Sequence, residues 1–281
     1  MELTMFDAVA AEGLKVNPVD FDILPYPELV KYIQTRFNVL NRQIDRVVKS
    51  TLRAFIISGA PGLGKSYGTE KKLEAAEAAG KIRYVKVKGT MSNIGLYMKL
   101  YECRDENTVL LIDDADGIYK DVNALNTLKA ALDSSPVRQI NYNKISAALN
   151  KAKIPMSFEY KGRCIFITNE DFQYHVEKET SLSVHFGALL SRSTYLDLGI
   201  HGKRAVFARI VQLVVSTNVV TKFGCTEAQV VMMLNWVRAN LNNMHELSIR
   251  TVERLASSIV DEPDTWQETA EVTLLKTVRV G

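Results

Sequence analysis

Residues 59–66 read Gly59-Ala60-Pro61-Gly62-Leu63-Gly64-Lys65-Ser66. They satisfy the phosphate-binding loop pattern G-x-x-x-x-G-K-[ST] at every fixed position. The run before them, Arg53-Ala-Phe-Ile-Ile-Ser58, is short, apolar and bounded by a glycine, so it reads as a buried strand. The stretch after them, Ser66 through Ala79, reads as a helix ending at Gly80. Strand, glycine loop and helix in that order are the context the motif needs. Glycines let backbone N–H groups curl around phosphate oxygens, and the helix N-terminus adds partial positive charge. In this pattern Lys65 reaches the β- and γ-phosphates of a nucleotide and the Ser66 hydroxyl ligates Mg²⁺. The expected nucleotide contacts are therefore Gly59, Ala60, Pro61, Gly62, Leu63, Gly64, Lys65, Ser66 and the adjoining Tyr67.

Working outward, strands alternate with helices from about Thr51 to Leu198. Ile82–Lys88 reads as a second strand, and its lysines mark it as an edge, since a central parallel strand is apolar throughout. Thr108–Ile112 and Arg163–Thr168 read as third and fourth strands, and Leu196–Ile200 as a fifth. Such alternation predicts a parallel sheet flanked by helices, with ligands at the carboxyl ends of the strands. Before it, Pro18, Pro25 and Pro27 punctuate an irregular segment and Glu28–Lys49 looks helical. After about Gly202 the periodicity is helical: Lys203–Val219, Thr226–Asn243, Ser248–Val260 and Asp264–Lys276. Thr226 with Gln229, and Asp264 with Gln267, have the spacing of capping boxes. Trp236 and Trp266 read as packing residues of this helical region. The expected organisation is 1–48 as linker and helix, 49–200 as the α/β domain and 201–281 as a small all-α domain.

Composition sets bounds. The 281 residues are 47% hydrophobic and 24% charged, ordinary for a globular chain. A net charge of +3 is too small to argue by itself for a nucleic-acid or membrane partner. Cys103, Cys164 and Cys225 show no metal-ligand spacing and read as small buried apolar residues. Histidines 175, 185, 201 and 245 show no ligand spacing either. No apolar run approaches the roughly 18 residues of a membrane span. The N-terminus carries no basic segment followed by an apolar one, so no secretory signal is read and a cytoplasmic location is expected.

Leu110-Leu-Ile-Asp-Asp-Ala-Asp116 places acids just past the third strand, where Mg²⁺ on a phosphate-loop nucleotide needs a carboxylate. Asp113 is the candidate ligand. Asp114 is the candidate for polarising the attacking water, where a glutamate is commoner and reaches one methylene further. Asp116 reads as a solvated loop acid.

Together these motifs make the chain resemble an AAA+ ATPase over roughly residues 50–280: a P-loop five-stranded parallel sheet with flanking helices, followed by a small C-terminal all-α lid. The aspartate pair is similar to that of bacterial replication initiators in the superfamily. The compact form is similar to small AAA+ proteins of tailed bacteriophages. The resemblance implies roles for three further positions. Thr168-Asn169 ends the fourth strand as the first sensor does, so Asn169 would orient water near the γ-phosphate. Leu190-Ser-Arg-Ser193 is similar to the Ser-Arg-Cys motif of clamp loaders, so Arg192 would be the arginine finger offered to a neighbouring subunit. Leu247-Ser-Ile-Arg250 begins a lid helix as the second sensor does, so Arg250 would contact the nucleotide. The implied ligands are ATP and Mg²⁺, and the implied assembly is a homo-oligomeric ring or spiral.

The macromolecular target is less legible. The stretch Gly89–Gly95 lacks the aromatic-apolar-glycine loop of protein unfoldases. Met91 and Ile94 are the residual pore candidates, and Tyr97 and Tyr101, one helical turn apart, read as packing. Residues 138–163 carry Arg138, Lys144, Lys151, Lys153, Lys161 and Arg163 with Tyr142, Phe158 and Tyr160 interleaved and Glu159 as the one acid. Basic residues among aromatics can hold single-stranded nucleic acid by phosphate contact and stacking, so this segment is the candidate contact for DNA or a replication protein. A solvated hairpin or helix elaboration gives the same composition. The readings left open are a DNA-processing motor or loader, a protein-remodelling ATPase, and an ATP-dependent assembly switch with little turnover.

Overall fold

The computed structural model describes residues 23–276. The expectations for Pro18 and for the signal-free N-terminus lie outside these, while the C-terminal helix expected over Asp264–Lys276 runs from Trp266 to Leu274, where Leu275 leaves it to bridge Met244. The chain runs α1 (Tyr26–Val48), β1 (Ala54–Ser58), α2 (Lys65–Ala78), β2 (Arg83–Lys88), α3 (Asn93–Glu102) and β3 (Thr108–Asp113). A 3₁₀ turn (Asp116–Lys120) and α4 (Val122–Ala131) follow. Next comes a small excursion, β4 (Gln139–Asn141), α5 (Ala147–Ala152) and β5 (Ser157–Glu159). Then come β6 (Arg163–Thr168), α6 (Phe172–Glu177), α7 (Ser183–Arg192) and β7 (Thr194–Asp197). Helices α8 (Lys203–Ser216), α9 (Glu227–Asn240), α10 (Ile249–Asp261) and α11 (Trp266–Leu274) complete it.

Five strands form one parallel sheet in the order β2-β3-β6-β1-β7, and β4 pairs antiparallel with β5 apart from it. The three central strands are buried along their whole length, which is why they read as unbroken apolar runs. Their side chains alternate between two cores. Phe55, Ile57, Val109, Leu111, Ile165 and Ile167 face α1, α2 and the C-terminal helices. Ile56, Leu110, Ile112, Cys164 and Phe166 face α3, α4 and α7. Truncating one such residue, Phe166 for example, costs about 3–5 kcal/mol through lost transfer energy and the cavity left. Register lines up the strand ends: Lys88 opposite Asp113, Asp113 opposite Ile167, Ser58 opposite both Thr168 and Asp197. All the chemistry-bearing ends therefore meet on one rim of the sheet.

β2 lies at the edge, as its lysines require. β7 occupies Thr194–Asp197 instead of 196–200: Phe55 to Ser58 pair with Thr194 to Asp197, and Gly199 at φ 57 takes the chain out of the sheet. The Thr226 box forms, with Thr226 N–H donating to Gln229 Oε1 (2.9 Å) and Gln229 N–H to Thr226 Oγ1 (3.3 Å). The Asp264 box does not. Thr265 and Trp266 N–H both bond to the Glu262 carbonyl, and α11 begins at Trp266 with no side-chain cap. Trp236 and Trp266 meet edge to face with centroids 5.9 Å apart.

Packing redefines the 138–163 segment. Arg138 is buried and donates to the carbonyls of Ala131 and Gly162 (both 2.9 Å). Arg163 is buried and donates to the carbonyls of Val47, Val48 and Glu106. Phe158 and Tyr160 are core residues, and Tyr142 packs at a tilt against buried Tyr97 with ring centroids 5.2 Å apart. These five side chains are structural rather than a stacking platform. Met91 and Ile94 likewise pack on the α3–α4 core rather than standing free as pore contacts.

Gly162 tests how tightly the excursion is fastened. A Cβ there would sit 2.1 Å from the Cys103 carbonyl oxygen and 2.9 Å from the Tyr160 ring. At Gly117 a Cβ meets nothing within 4 Å. Gly162→Ala is expected to lose about 2–3 kcal/mol in chemical denaturation and Gly117→Ala less than about 0.5.

Candidate nucleotide site

The loop between β1 and α2 is a backbone device. Gly62 (φ 73) and Gly64 (φ 84) take left-handed conformations that a side chain would strain. The loop's far side is gripped by two C-terminal helices. Ile249 N–H, at the start of α10, donates to the Gly62 carbonyl at 3.2 Å, and a Cβ on Gly62 would come within 2.4 Å of Ser248 Cβ. Arg209 Nε, on α8, donates to the Leu63 carbonyl at 3.3 Å. Loop and lid helices are thus in direct contact.

Lys65 opens α2 and is buried. Its ammonium donates to the carbonyls of Gly59 and Ala60 and to Asn169 Oδ1 at 3.1 Å. Burial lowers its pKa to about 8, against the opposing pull of Asp114, Asp113 and Asp116. Ser66 Oγ donates to Asp113 Oδ1 at 2.8 Å. Asp113 is fully buried, and its second oxygen, Oδ2, has no hydrogen-bond donor. Lys88 Nζ, at the end of β2, stands 3.5 Å from that oxygen and 3.5 Å from Asp114 Oδ2. The nearby carboxylates, Asp113 foremost, raise the Lys88 pKa.

Asp114 is exposed and held at φ 52, a conformation uncommon outside glycine and tolerated best by Asp and Asn. Asp116 is half-buried and accepts a 2.6 Å bond from Thr168 Oγ1. It is therefore tied to the end of β6 and is not a freely solvated acid. Lys65, Ser66, Asp114, Asp116 and Asn169 border a cleft of about 600 Å³, which Leu213, Thr217, Asn218 and Val219 also line; Asp113 is joined to it through Ser66. Tyr67 lines the cleft and carries Lys71 Nζ over its ring at 4.5 Å. Arg250 lines it from the first turn of α10.

Lys65, Ser66, Tyr67, Asp113, Asp114, Asn169 and Arg250 therefore converge. Arg192 does not. It ends α7, donates to the Ala188 carbonyl, and pairs with Asp133 at 3.6 Å, outside the cleft lining. Sequence reading missed Lys88 and Arg209. The lysine's position at the carboxyl end of a predicted strand was a usable signal, though its pairing with Asp113 comes from register alone. Arg209 gave none, being one of three basic residues in a largely apolar helix.

The donor set suits a divalent cation: a serine hydroxyl, a buried carboxylate with one oxygen free of hydrogen bonds, and a second acid nearby. The chain is 37% identical over 262 residues to a 36.7 kDa protein encoded in the nrdC–mobD intergenic region of Enterobacteria phage T4, covering 93% of this chain and 79% of that one. Among solved structures, a single-residue variant of Thermotoga maritima RuvB is similar with a TM-score of 0.50 at 15% identity, over 84% of this chain and 69% of that one. Brucella abortus NtrX in complex with ADP is similar with a TM-score of 0.48 at 14% identity, over 82% of this chain and 51% of that one. No protein-family profile matches. The chain belongs to the family of the phage T4 protein, and its fold is that of the AAA+ ATPases.

Lys65 supplies a pH test. Between about pH 8 and 10.5 the unfolded chain still holds the proton the folded lysine has released, so its contribution to stability rises with pH across that window. Below that window the buried charge is a cost. Denaturation of wild type and Lys65→Met is expected to show wild type gaining on the variant, by up to roughly 3 kcal/mol, as pH climbs through the window.

Proposed function

We propose that this AAA+ protein binds ATP in the cleft and hydrolyses it at interfaces between copies of itself, to remodel or load a macromolecular partner. The observation that carries the reading is the Ser66–Asp113 hydrogen bond, with the second carboxylate oxygen free of hydrogen bonds and balanced by Lys88, set beside the buried Lys65 ammonium. Ser66 and Asp113 would hold Mg²⁺. When bound, that ion would neutralise phosphate charge and orient the β- and γ-phosphates. The chain's own groups do the rest. Loop N–H groups take up phosphate oxygens. Lys65 turns from the Gly59 and Ala60 carbonyls to a better acceptor, the γ-phosphate. Asp114 and Asn169 place a water in line with the bond to be broken, and Arg250 meets the phosphates from the lid side. Water attacks phosphorus, the bond to the β-phosphate oxygen breaks with its electron pair kept by ADP, and the water's proton leaves on the inorganic phosphate.

Arg192 belongs to another copy's site on this reading. Its position outside its own cleft, paired with Asp133, is compatible with an intermolecular finger. Assembly is therefore part of catalysis. Specific rate is expected to climb with protein concentration under saturating ATP and Mg²⁺, and Arg192→Ala to lower it by at least ~10²-fold with nucleotide affinity nearly unchanged. A flat concentration dependence together with a fully active Arg192→Ala would refute the shared site.

DNA processing is the favoured setting, and it rests on Lys144, Lys151, Lys153 and Lys161, which stay exposed on the β4–β5 excursion after the arginines and aromatics are assigned to the core. Reversing Lys151 and Lys153 to glutamate is expected to weaken single-stranded DNA binding and to reduce its salt slope by about two. Unchanged affinity and slope would remove DNA from that surface. Remodelling of a protein partner loses support from the packing of Met91 and Ile94. An assembly switch with little turnover draws support from one feature: Asp114 is short, exposed and paired with Lys88.

A further inference from the structure

Arg209 is a buried arginine with no acidic partner among the described residues. Its side chain is 9% exposed. Its guanidinium lies over the Phe37 ring of α1 at 3.4 Å from the centroid, its Nη1 donates to neutral Gln212 Oε1 at 3.3 Å, and its Nε donates to the Leu63 carbonyl at 3.3 Å. Burial lowers its pKa to about 10, with no carboxylate opposing the shift. A buried, uncompensated charge is costly. Its place decides what the cost serves. A Cβ built on Gly64 would lie 3.9 Å from Arg209 Nη2 and 3.3 Å from Leu213 Cδ1. The guanidinium thus sits against the back of the loop whose front takes the phosphates.

We infer that Arg209 is a positioning residue for nucleotide, its cation neutralised from behind the loop when a polyphosphate occupies the front, so that α1, the loop and α8 tighten together on binding. The inference rests on the cleft being a nucleotide site. Two contributions follow from the geometry. The bond to Leu63 fixes the peptide between the two left-handed glycines, so the N–H groups beyond it keep their aim. The charge adds attraction for an anion across one peptide layer, in a setting that water does not screen. It also makes the lid answer to the ligand, because α8 carries the arginine and also supplies Leu213 to the cleft wall.

The test compares wild type with Arg209→Met and Arg209→Lys, reading ADP and AMP affinity with Mg²⁺ by titration calorimetry and the melting temperature without nucleotide. Neither readout needs turnover. Methionine keeps most of the volume and removes the charge, so nucleotide-free stability is expected to change little. Affinity for ADP is expected to fall about tenfold or more, with a smaller loss for AMP, and lysine to recover part of it. Wild-type ADP affinity in Arg209→Met would overturn the inference. So would a loss equal for ADP and AMP that tracks a matching fall in nucleotide-free melting temperature, since that is loosened packing alone. If wild type itself binds neither nucleotide, the nucleotide reading fails, and this inference with it.

Discussion

The structure turns on the backbone of residues 59–64, held on both sides. In front, the loop closes the rim of the sheet and starts α2. Behind it, the Gly62 carbonyl takes the N–H of Ile249 and the Leu63 carbonyl takes Nε of Arg209. There is no room for a side chain between Gly62 and Ser248. A loop packed this closely has little freedom to move independently of α8 and α10. Any ligand that reorders the loop therefore acts on the lid as well, and anything that moves the lid acts on the loop.

The sheet supplies the other half of the site by register alone. Parallel pairing of β2, β3, β6 and β1 brings Lys88, Asp113, Thr168 and Ser58 to one edge without any of them being near another in sequence. Burial then sets their chemistry. Asp113, fully enclosed, gives one oxygen to Ser66, while the other has no hydrogen bond and is balanced by the Lys88 ammonium 3.5 Å away. Asp114, one residue on, is turned outward by a left-handed backbone and stays in reach of water. Two adjacent aspartates thus acquire different environments from one strand end.

Much of this was legible in the chain because burial on both faces leaves a plain mark. Ala54–Ser58, Thr108–Asp113 and Arg163–Thr168 are apolar runs, and the glycine loop has a fixed pattern. Edge strands leave weaker marks: Thr194–Asp197 is half polar and only partly enclosed, so the pattern points two residues late at its start and three at its end. Charge was the least legible quantity. Arg138 and Arg163 look in sequence like neighbours of Lys151 and Lys153, yet their guanidiniums satisfy buried carbonyls at the ends of α4 and α1, while the lysines are solvated. A one-dimensional pattern does not say which carbonyls lack donors, so it does not say which arginines will be drawn inward. Arg209 escaped for the same reason, its partners being 146 residues away at Leu63 and on another helix at Phe37.

The central claim is that one copy's loop and another copy's Arg192 make a single ATP-hydrolysing site. The most direct measurement mixes two variants that the account makes inactive, Lys65→Met and Arg192→Ala, in equal amounts and follows phosphate release from ATP with Mg²⁺. Lys65→Met keeps an intact finger and Arg192→Ala keeps an intact loop, so mixed interfaces contain one complete site. The account predicts that the mixture hydrolyses ATP well above the sum of the two variants alone. Activity no greater than that sum, in a mixture shown to co-assemble, would contradict it.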